Sequence, residues 1–112
     1  MAYDEGVAQR VREHLQSRSD ITERKMFGGL AFMAHGHMFI GILGDRLMVR
    51  VGPDDYAKAL SQAHVQEMDF TGRPMRGYVY VEPDGFESDA QLESWVNQGY
   101  AFVGALPPKL SK

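Results

Sequence analysis

The stretch RKMFGGLAFMAHGHMFIGILGDRLMVRV, residues 24–51, decides the fold. It is rich in Phe, Met, Ile and Val, which favour strands, and it is interrupted twice by turn-forming residues. The interruptions are AHGH at 34–37 and GD at 44–45, where glycine adopts a positive φ at little cost. The stretch therefore predicts three antiparallel strands, over residues 24–33, 38–43 and 46–51.

Three helices are predicted from apolar residues that recur at helical spacing. The first covers residues 4–17, where Asp4 can accept hydrogen bonds from the first turn. The second covers residues 52–63 and starts near a proline, which suits a first helical position. The third follows an S-x-x-Q capping box formed by Ser88 and Gln91, and it continues to residue 106.

Two further strands are predicted, a short one over residues 65–70 and a strongly alternating one over 77–82. The element order is then α-β-β-β-α-β-β-α. This order predicts an α+β fold, in which helices pack on a mostly antiparallel five-stranded sheet. Residues 1–112 are predicted to form a single domain, because a chain of this length supports one modest core.

Composition excludes several classes of function. The formal net charge is −3, whereas domains that bind DNA mainly through its phosphates are usually basic. The chain has no cysteine, which excludes disulfides, cysteine-ligated zinc and a cysteine nucleophile. The N-terminus is charged from residue 4 and no apolar run approaches about 20 residues, so we expect a cytoplasmic protein without a membrane segment.

No catalytic, cofactor or metal site is predicted, and we expect the protein not to be an enzyme. The pair Gly28-Gly29 lies in an apolar run outside any phosphate-loop motif, so it indicates a bulge or a close backbone approach. His35 and His37 would share one face of a strand, but no third ligand follows from the spacing of the other histidines. A small enzyme or a histidine-based metal protein is the least favoured interpretation.

A docking surface is predicted on the strands at 24–43, because apolar residues occupy both of their faces. Three helices are too few to cover two faces of a five-stranded sheet, so a second copy or another protein is expected to cover the remainder. This reasoning predicts a homodimer or a protein partner. The residues proposed for the contact are Phe27, Phe32, Met38 and Phe39.

An arginine-rich sheet face is the alternative site. Arg46 and Arg50 share one face of their strand, and two more arginines precede a strand that carries Tyr78 and Tyr80. Arginine beside tyrosine can bind a phosphate or a stacked base, which would make the protein a nucleic-acid or nucleotide binder. A half-solvated polar face is the simpler explanation and is favoured by the acidic net charge. The candidate residues are Arg46, Arg50, Arg73 and Arg76.

Four segments resemble the N-terminal domain of the TfoX/Sxy family. They are RKMFGGLAFMAHGHMFIGI (24–42), DRLMVRVGPDDY (45–56), MDFTGRPMRGYVYV (68–81) and WVNQGYAFVGALPPK (95–109). The resemblance implies an α+β unit in a bacterial, cytoplasmic protein linked to transcriptional regulation of competence genes. It implies no catalytic residues. Longer family members continue into a second domain, and this chain resembles only the first, so a competence role and direct DNA binding do not follow.

Overall fold

The computed structural model describes residues 3–18, 20–26, 28–68 and 76–106. They form an α+β fold in which six antiparallel strands carry helices on one face. The helices are α1 (Glu5–Leu15), α2 (Tyr56–Leu60) and α3 (Asp89–Gly104), with a 3₁₀ turn at Pro83–Gly85. The strands are β1 (Ile21–Met26), β2 (Gly29–Ala34), β3 (His37–Leu43), β4 (Arg46–Arg50), β5 (Val65–Glu67) and β6 (Tyr78–Val81). Their order in the sheet is β1-β2-β3-β4-β6-β5.

The predicted fold class is confirmed, but the sheet has six strands where five were expected. The prediction of one strand over residues 24–33 is wrong, because this region contains the end of β1, a turn and most of β2. Gly28 lies in the turn with a φ of 74°. β1 is an edge strand whose residues 22–25 are all exposed, so its sequence lacks the alternation that marks a half-buried strand.

Helix α1 forms where its apolar stripe predicts it. The Asp4 side chain accepts a 3.0 Å hydrogen bond from the Val7 backbone N–H, which confirms the predicted cap. Arg12 then fastens α1 to β1 through a two-pronged contact with Glu23, in which Nε and Nη2 donate hydrogen bonds of 2.8 and 3.0 Å. The exposed strand β1 is therefore held to the helical layer by charge as well as by its pairing with β2.

The β2–β3 hairpin turns through His35 and Gly36, whose φ angles are 55° and 83°. Two consecutive positive φ values in a two-residue loop are typical of the hairpin turns that match strand twist. The register then shifts at Phe32 and Met33, which leaves Phe39 as an extra residue on β3. Phe39 packs edge-on against the ring of Tyr100 on α3, with ring centres 5.5 Å apart.

Helix α3 crosses the middle of the sheet and is fixed at its start by the predicted capping box. Ser88 accepts from the Gln91 backbone N–H, and Gln91 accepts from the Ser88 backbone N–H. Gly99 permits close contact with β3, since a Cβ there would lie 2.5 Å from the Phe39 carbonyl oxygen. By contrast, α2 is shorter than predicted: it begins at Tyr56, and residues 53–55 form a turn after Gly52, whose φ is 86°.

The main core lies between the sheet and the three helices. Its sheet side is formed by alternating residues of β2, β3, β4 and β6, and its helical side by the apolar faces of α1, α2 and α3. Each large side chain that leaves water there contributes about 1.5–3 kcal/mol, so this layer dominates the stability of the domain. The buried sheet residues are Leu30, Phe32, Ala34, Phe39, Ile40, Ile42, Leu47, Val49, Val79 and Val81.

Candidate functional site

The sheet face that points away from the helices carries a second, smaller buried cluster. Met48 on β4 and Tyr80 on β6 are paired directly, and Met68, which follows β5, packs with them. Leu43 and Tyr78 lie half-buried at the margin of this cluster. Residues of the same chain therefore cover the middle of the second face.

Two of the four predicted docking residues belong to the core. Phe32 is 1 % exposed and Phe39 is fully buried, and both contribute to the cluster under the helices. Their assignment to a docking surface is wrong, because Phe32 is buried in the core under the helical layer and Phe39, the extra residue at the register shift, packs against Tyr100 of α3. Met38 is half-buried on β3 and stays available to a partner, whereas Phe27 lies outside the described residues.

The pairing of the β-strands shows which arginines lie on the sheet face that points away from the helices. Each residue of one cross-strand row pairs with the next one, so their side chains share a face. The row consists of Arg24, Ala31, Gly41, Met48, Tyr80 and Gln66. Strand alternation adds Arg46 and Arg50 of β4 to the same face. In the six strands described, the charged side chains of this face are thus all arginines, although the whole chain carries a net charge of −3.

The arginines of β4 stack on the tyrosines of β6, as the alternation of the two strands predicts. The Arg46 Cζ atom lies 3.9 Å from the centre of the Tyr80 ring. The Arg50 Cζ atom lies 5.5 Å from the centre of the Tyr78 ring and 5.3 Å from that of Phe102 on α3, so this guanidinium also contacts the helical layer. Arg46 also faces Glu82 at 3.7 Å, which neutralises part of its charge. Of the other two candidates, Arg76 is exposed in the turn before β6, and Arg73 lies outside the described residues.

A methionine pair forms the centre of the accessible part of this face. Met33 on β2 and Met38 on β3 lie directly opposite each other, and both are half-buried. Arg24 on β1 is exposed, while Arg50 and Tyr78 are half-buried on the β4–β6 side. We call these five residues, Arg24, Met33, Met38, Arg50 and Tyr78, the Met/Arg surface. Sequence analysis missed Arg24 and Met33, because assigning them to this surface requires the β1–β2 and β2–β3 registers.

A polar cluster ties the hairpin tip to the helices. Tyr100 donates a 2.7 Å hydrogen bond to Asp20 Oδ2, and His35 Nε2 lies 3.3 Å from the same oxygen. The hydrogen bond lowers the pKa of Asp20, and it raises the pKa of Tyr100. His35 thus faces a carboxylate at the edge of the fold, and in the described parts of the chain no three potential metal-ligating side chains come together.

An open cleft of about 410 Å³ lies between the β5 entry turn and α3. Trp95 forms part of its wall and donates a 3.1 Å hydrogen bond from Nε1 to the Gly85 carbonyl oxygen. His64 is the one titratable side chain among the residues that line the cleft. A general acid paired with a general base is therefore missing from this lining. The lining consists of Gln62, Ala63, His64, Gly85, Ala90, Gln91, Ser94, Trp95 and Gln98.

Comparison with known proteins identifies one family. The family model described as the TfoX N-terminal domain matches residues 13–103 of the 112-residue chain. No curated protein matches the sequence significantly. None of the helices in the described segments has the length and apolar character needed to cross a bilayer.

Proposed function

Because the chain belongs to the TfoX N-terminal domain family, we propose that it is a non-catalytic regulatory domain that acts by binding another protein. Its place would be the bacterial cytoplasm, in transcriptional regulation of the kind that the family serves in competence. The observation that carries this proposal is the Met/Arg surface, a half-exposed methionine pair bordered by arginine and tyrosine on the sheet face without helices.

The composition of the Met/Arg surface suits protein recognition. Methionine, arginine and tyrosine are enriched in the centres of protein interfaces relative to the remaining surface. Methionine side chains adapt their shape to a partner because they are unbranched and flexible. Met33 and Met38 lie on the two strands of one hairpin and pair with each other, and Met33 also pairs with Thr22 of β1.

The absence of catalysis is part of the proposal. The cleft beside α3 is lined by uncharged amides, a serine and one histidine, which bind polar groups but offer no acid–base pair. Asp20 and His35 do approach each other, but the Asp20 carboxylate is already engaged by Tyr100 at the edge of the fold. Neither place supports a reaction as well as the Met/Arg surface supports docking.

Site-specific crosslinking in cells tests the docking proposal. A photoreactive phenylalanine analogue replaces Met38, and a matched protein carries it at Glu93, an exposed position on α3. We expect a discrete protein conjugate from position 38, which disappears when Met33→Asp is added, and no conjugate of that size from position 93. Conjugates of equal yield from both positions would contradict the proposal. Far-UV circular dichroism confirms that each variant is folded.

Nucleic-acid binding is the second candidate, because arginine–tyrosine stacks lie side by side on β4 and β6. It is less favoured for two reasons. Tyr80 is 4 % exposed beneath Arg46, so its ring is not open to a base, and Arg46 is partly neutralised by Glu82. The test is fluorescence anisotropy with a labelled single-stranded oligonucleotide at low salt. Binding that weakens steeply with salt and with Arg50→Ala would support nucleic-acid binding. An anisotropy that does not change with protein concentration would contradict it.

The homodimer stays a prediction. The chain itself covers the middle of the second sheet face. The apolar area left for a second copy to cover is therefore smaller than the apolar pattern of the strands predicted. Light scattering at micromolar concentration measures the state directly. A dimeric mass that falls to the monomer value with Met38→Asp would place a second copy at the Met/Arg surface.

A further inference from the structure

We infer that the Met/Arg surface binds an extended acidic segment of another protein, with one apolar side chain seated between two carboxylates. This inference rests on the proposed docking function and adds the chemistry of the partner. The charged side chains that the described strands place on this face are all arginines, and Glu82, which follows β6, faces only Arg46 among them. An acidic partner is attracted to such a face, and the attraction accelerates its association.

The charge is local rather than general. Helix α3, on the opposite side of the sheet, carries Asp89 and Glu93 and contains no lysine or arginine. Arg24 is exposed at one side of the methionine pair, and Arg50 is half-buried at the other. On the helical side, Arg10 and Arg12 of α1 lie beside the carboxylates of Asp89 and Glu23, whereas among the described residues Arg24 and Arg50 have no such neighbour.

Self-association through this surface is disfavoured by the same charges. A twofold contact presents identical patches to each other, so the arginines of one copy would approach those of the other. Arg46 has Glu82 beside it, but among the described residues no carboxylate lies within ion-pair distance of Arg24 or Arg50. A second copy therefore leaves like charges unpaired where an acidic segment would pair them.

The spacing of the two arginines sets the pattern of the partner. Arg24 is on β1 and Arg50 on β4, with β2 and β3 between them. Arg24 is level with Met48, so Arg50 lies two residues further along β4. Three strand spacings of about 4.8 Å and this offset of about 6.8 Å separate the two backbones by roughly 16 Å. An extended segment advances about 3.4 Å per residue, so positions i and i+4 lie about 14 Å apart, and the long arginine and glutamate side chains cover the remainder. Position i+2 points to the same side and lies over Met33 and Met38.

The partner pattern is therefore an acidic residue, any residue, an apolar residue, any residue and an acidic residue. The apolar side chain packs on two adaptable thioethers, and each carboxylate meets a guanidinium. Tyr78, half-buried beside Arg50, adds a flat apolar contact and a hydroxyl at the β6 side. A nucleic acid would satisfy the arginines but not the methionine pair.

The first experiment uses synthetic peptides and residue-resolved NMR. The probe is a peptide of sequence Glu-Ser-Leu-Thr-Glu with blocked ends, and its partner probe has lysine in place of both glutamates. We expect the acidic peptide to shift the amide signals of the Met/Arg surface at millimolar concentration and the lysine peptide to leave them unchanged. Moving the two glutamates next to each other should weaken binding. Equal shifts with both peptides, or shifts confined to other surfaces, would overturn the inference.

A charge-reversed variant is the second experiment. Arg24→Glu with Arg50→Glu should weaken the acidic peptide about tenfold and create binding of the lysine peptide. The matched control is Lys58→Glu, which changes the charge at an exposed position of α2 and should alter neither affinity. Loss of both peptides, with the fold retained by circular dichroism, would show that the arginines act in some other way and would contradict the inference.

The crosslinked conjugate separates this inference from the docking proposal. If position 38 captures a protein whose crosslinked segment is neutral or basic, the docking function stands and the acidic partner is wrong. If it captures nucleic acid or a second copy, the partner class is likewise wrong. If position 38 captures nothing above the Glu93 control, the docking proposal itself fails.

Discussion

The hydroxyl of Tyr100 on α3 donates a 2.7 Å hydrogen bond to Asp20, which lies in the turn between α1 and β1. Asp20 Oδ2 also lies 3.3 Å from Nε2 of His35 at the β2–β3 hairpin tip. The Arg18 guanidinium stacks on the Tyr100 ring, with Cζ 4.0 Å from the ring centre. One carboxylate thus joins a helix, a turn and a hairpin that are far apart in sequence.

This hydrogen bond predicts a pH-dependent stability. The bond lowers the pKa of Asp20 in the folded state, so its contribution is present above the ordinary value of 3.8 and is lost as pH falls through the folded pKa. The Asp20 carboxylate raises the pKa of Tyr100, so its contribution is present below 10.0 and is lost as pH rises through the folded pKa. Tyr100→Phe should therefore lower the urea midpoint more at pH 7 than at pH 3.

The control for this prediction is the Asp20→Asn background. Once the carboxylate is removed, Tyr100→Phe should lower the midpoint by the same amount at both pH values. A midpoint difference between the wild type and Tyr100→Phe that does not change from pH 7 to pH 3 would show that the bond does not couple to the ionisation of Asp20.

Two glycines of α3 predict opposite responses to the same substitution. At Gly99 a Cβ would lie 2.5 Å from the Phe39 carbonyl oxygen, so Gly99→Ala must push α3 away from β3. Overpacking of this kind lowers the free energy of unfolding by about 1–3 kcal/mol. At Gly104 a Cβ would meet no atom within 4 Å, so Gly104→Ala should leave the free energy unchanged or raise it by up to about 1 kcal/mol. Urea denaturation measures both, and equal effects would contradict the proposed close approach.

The indole of Trp95 predicts a further loss of stability. Its Nε1 group donates to the Gly85 carbonyl oxygen in the interior, next to the 3₁₀ turn. Trp95→Phe leaves that oxygen without its donor and removes buried volume, which should lower the free energy of unfolding by about 1–3 kcal/mol. Far-UV circular dichroism follows the urea transition, because Trp95 is the only tryptophan of the chain.

A surface variant on the same helix provides the comparison. Asn97→Ala changes an exposed position of α3 and should alter the free energy of unfolding by less than about 0.5 kcal/mol. If Trp95→Phe changes it by no more than Asn97→Ala does, the hydrogen bond to Gly85 does not contribute to stability.

Helix caps and turns were predicted correctly, because they depend on residues that are close together in the sequence. The Ser88 and Gln91 capping box and the Asp4 cap were recognised from residue type and spacing, and both form as predicted. The turn at His35 and Gly36 was likewise marked by its residues. Strand β1 was not recognised as a separate strand, because an exposed edge strand places polar residues on both faces and so has no period to detect.

The predicted docking residues show that strand alternation does not reveal which apolar side chains become buried. Alternation correctly indicated that both faces of the first hairpin carry apolar residues, but the register shift places Phe39, and not Met38, with Ile40 and Ile42. It also did not say what covers each face. Phe32 is buried in the core under the helical layer, Phe39 packs against Tyr100 of α3, and Met48 packs with Met68, which follows β5. Each of these contacts joins residues far apart in the chain, so neither period nor composition reports it.

The sequence by itself determined the α+β class, the cap of α1, the capping box of α3 and the hairpin turns, because these depend on neighbours within a few residues. It also determined the resemblance to the TfoX N-terminal domain, because that rests on motifs in a fixed order along the chain. Only the tertiary structure decided which apolar residues stay accessible, and that Arg24 joins Met33, Met38, Arg50 and Tyr78 on one surface. Strand register and coverage depend on packing between distant segments, and the free energy of that packing belongs to the folded chain as a whole.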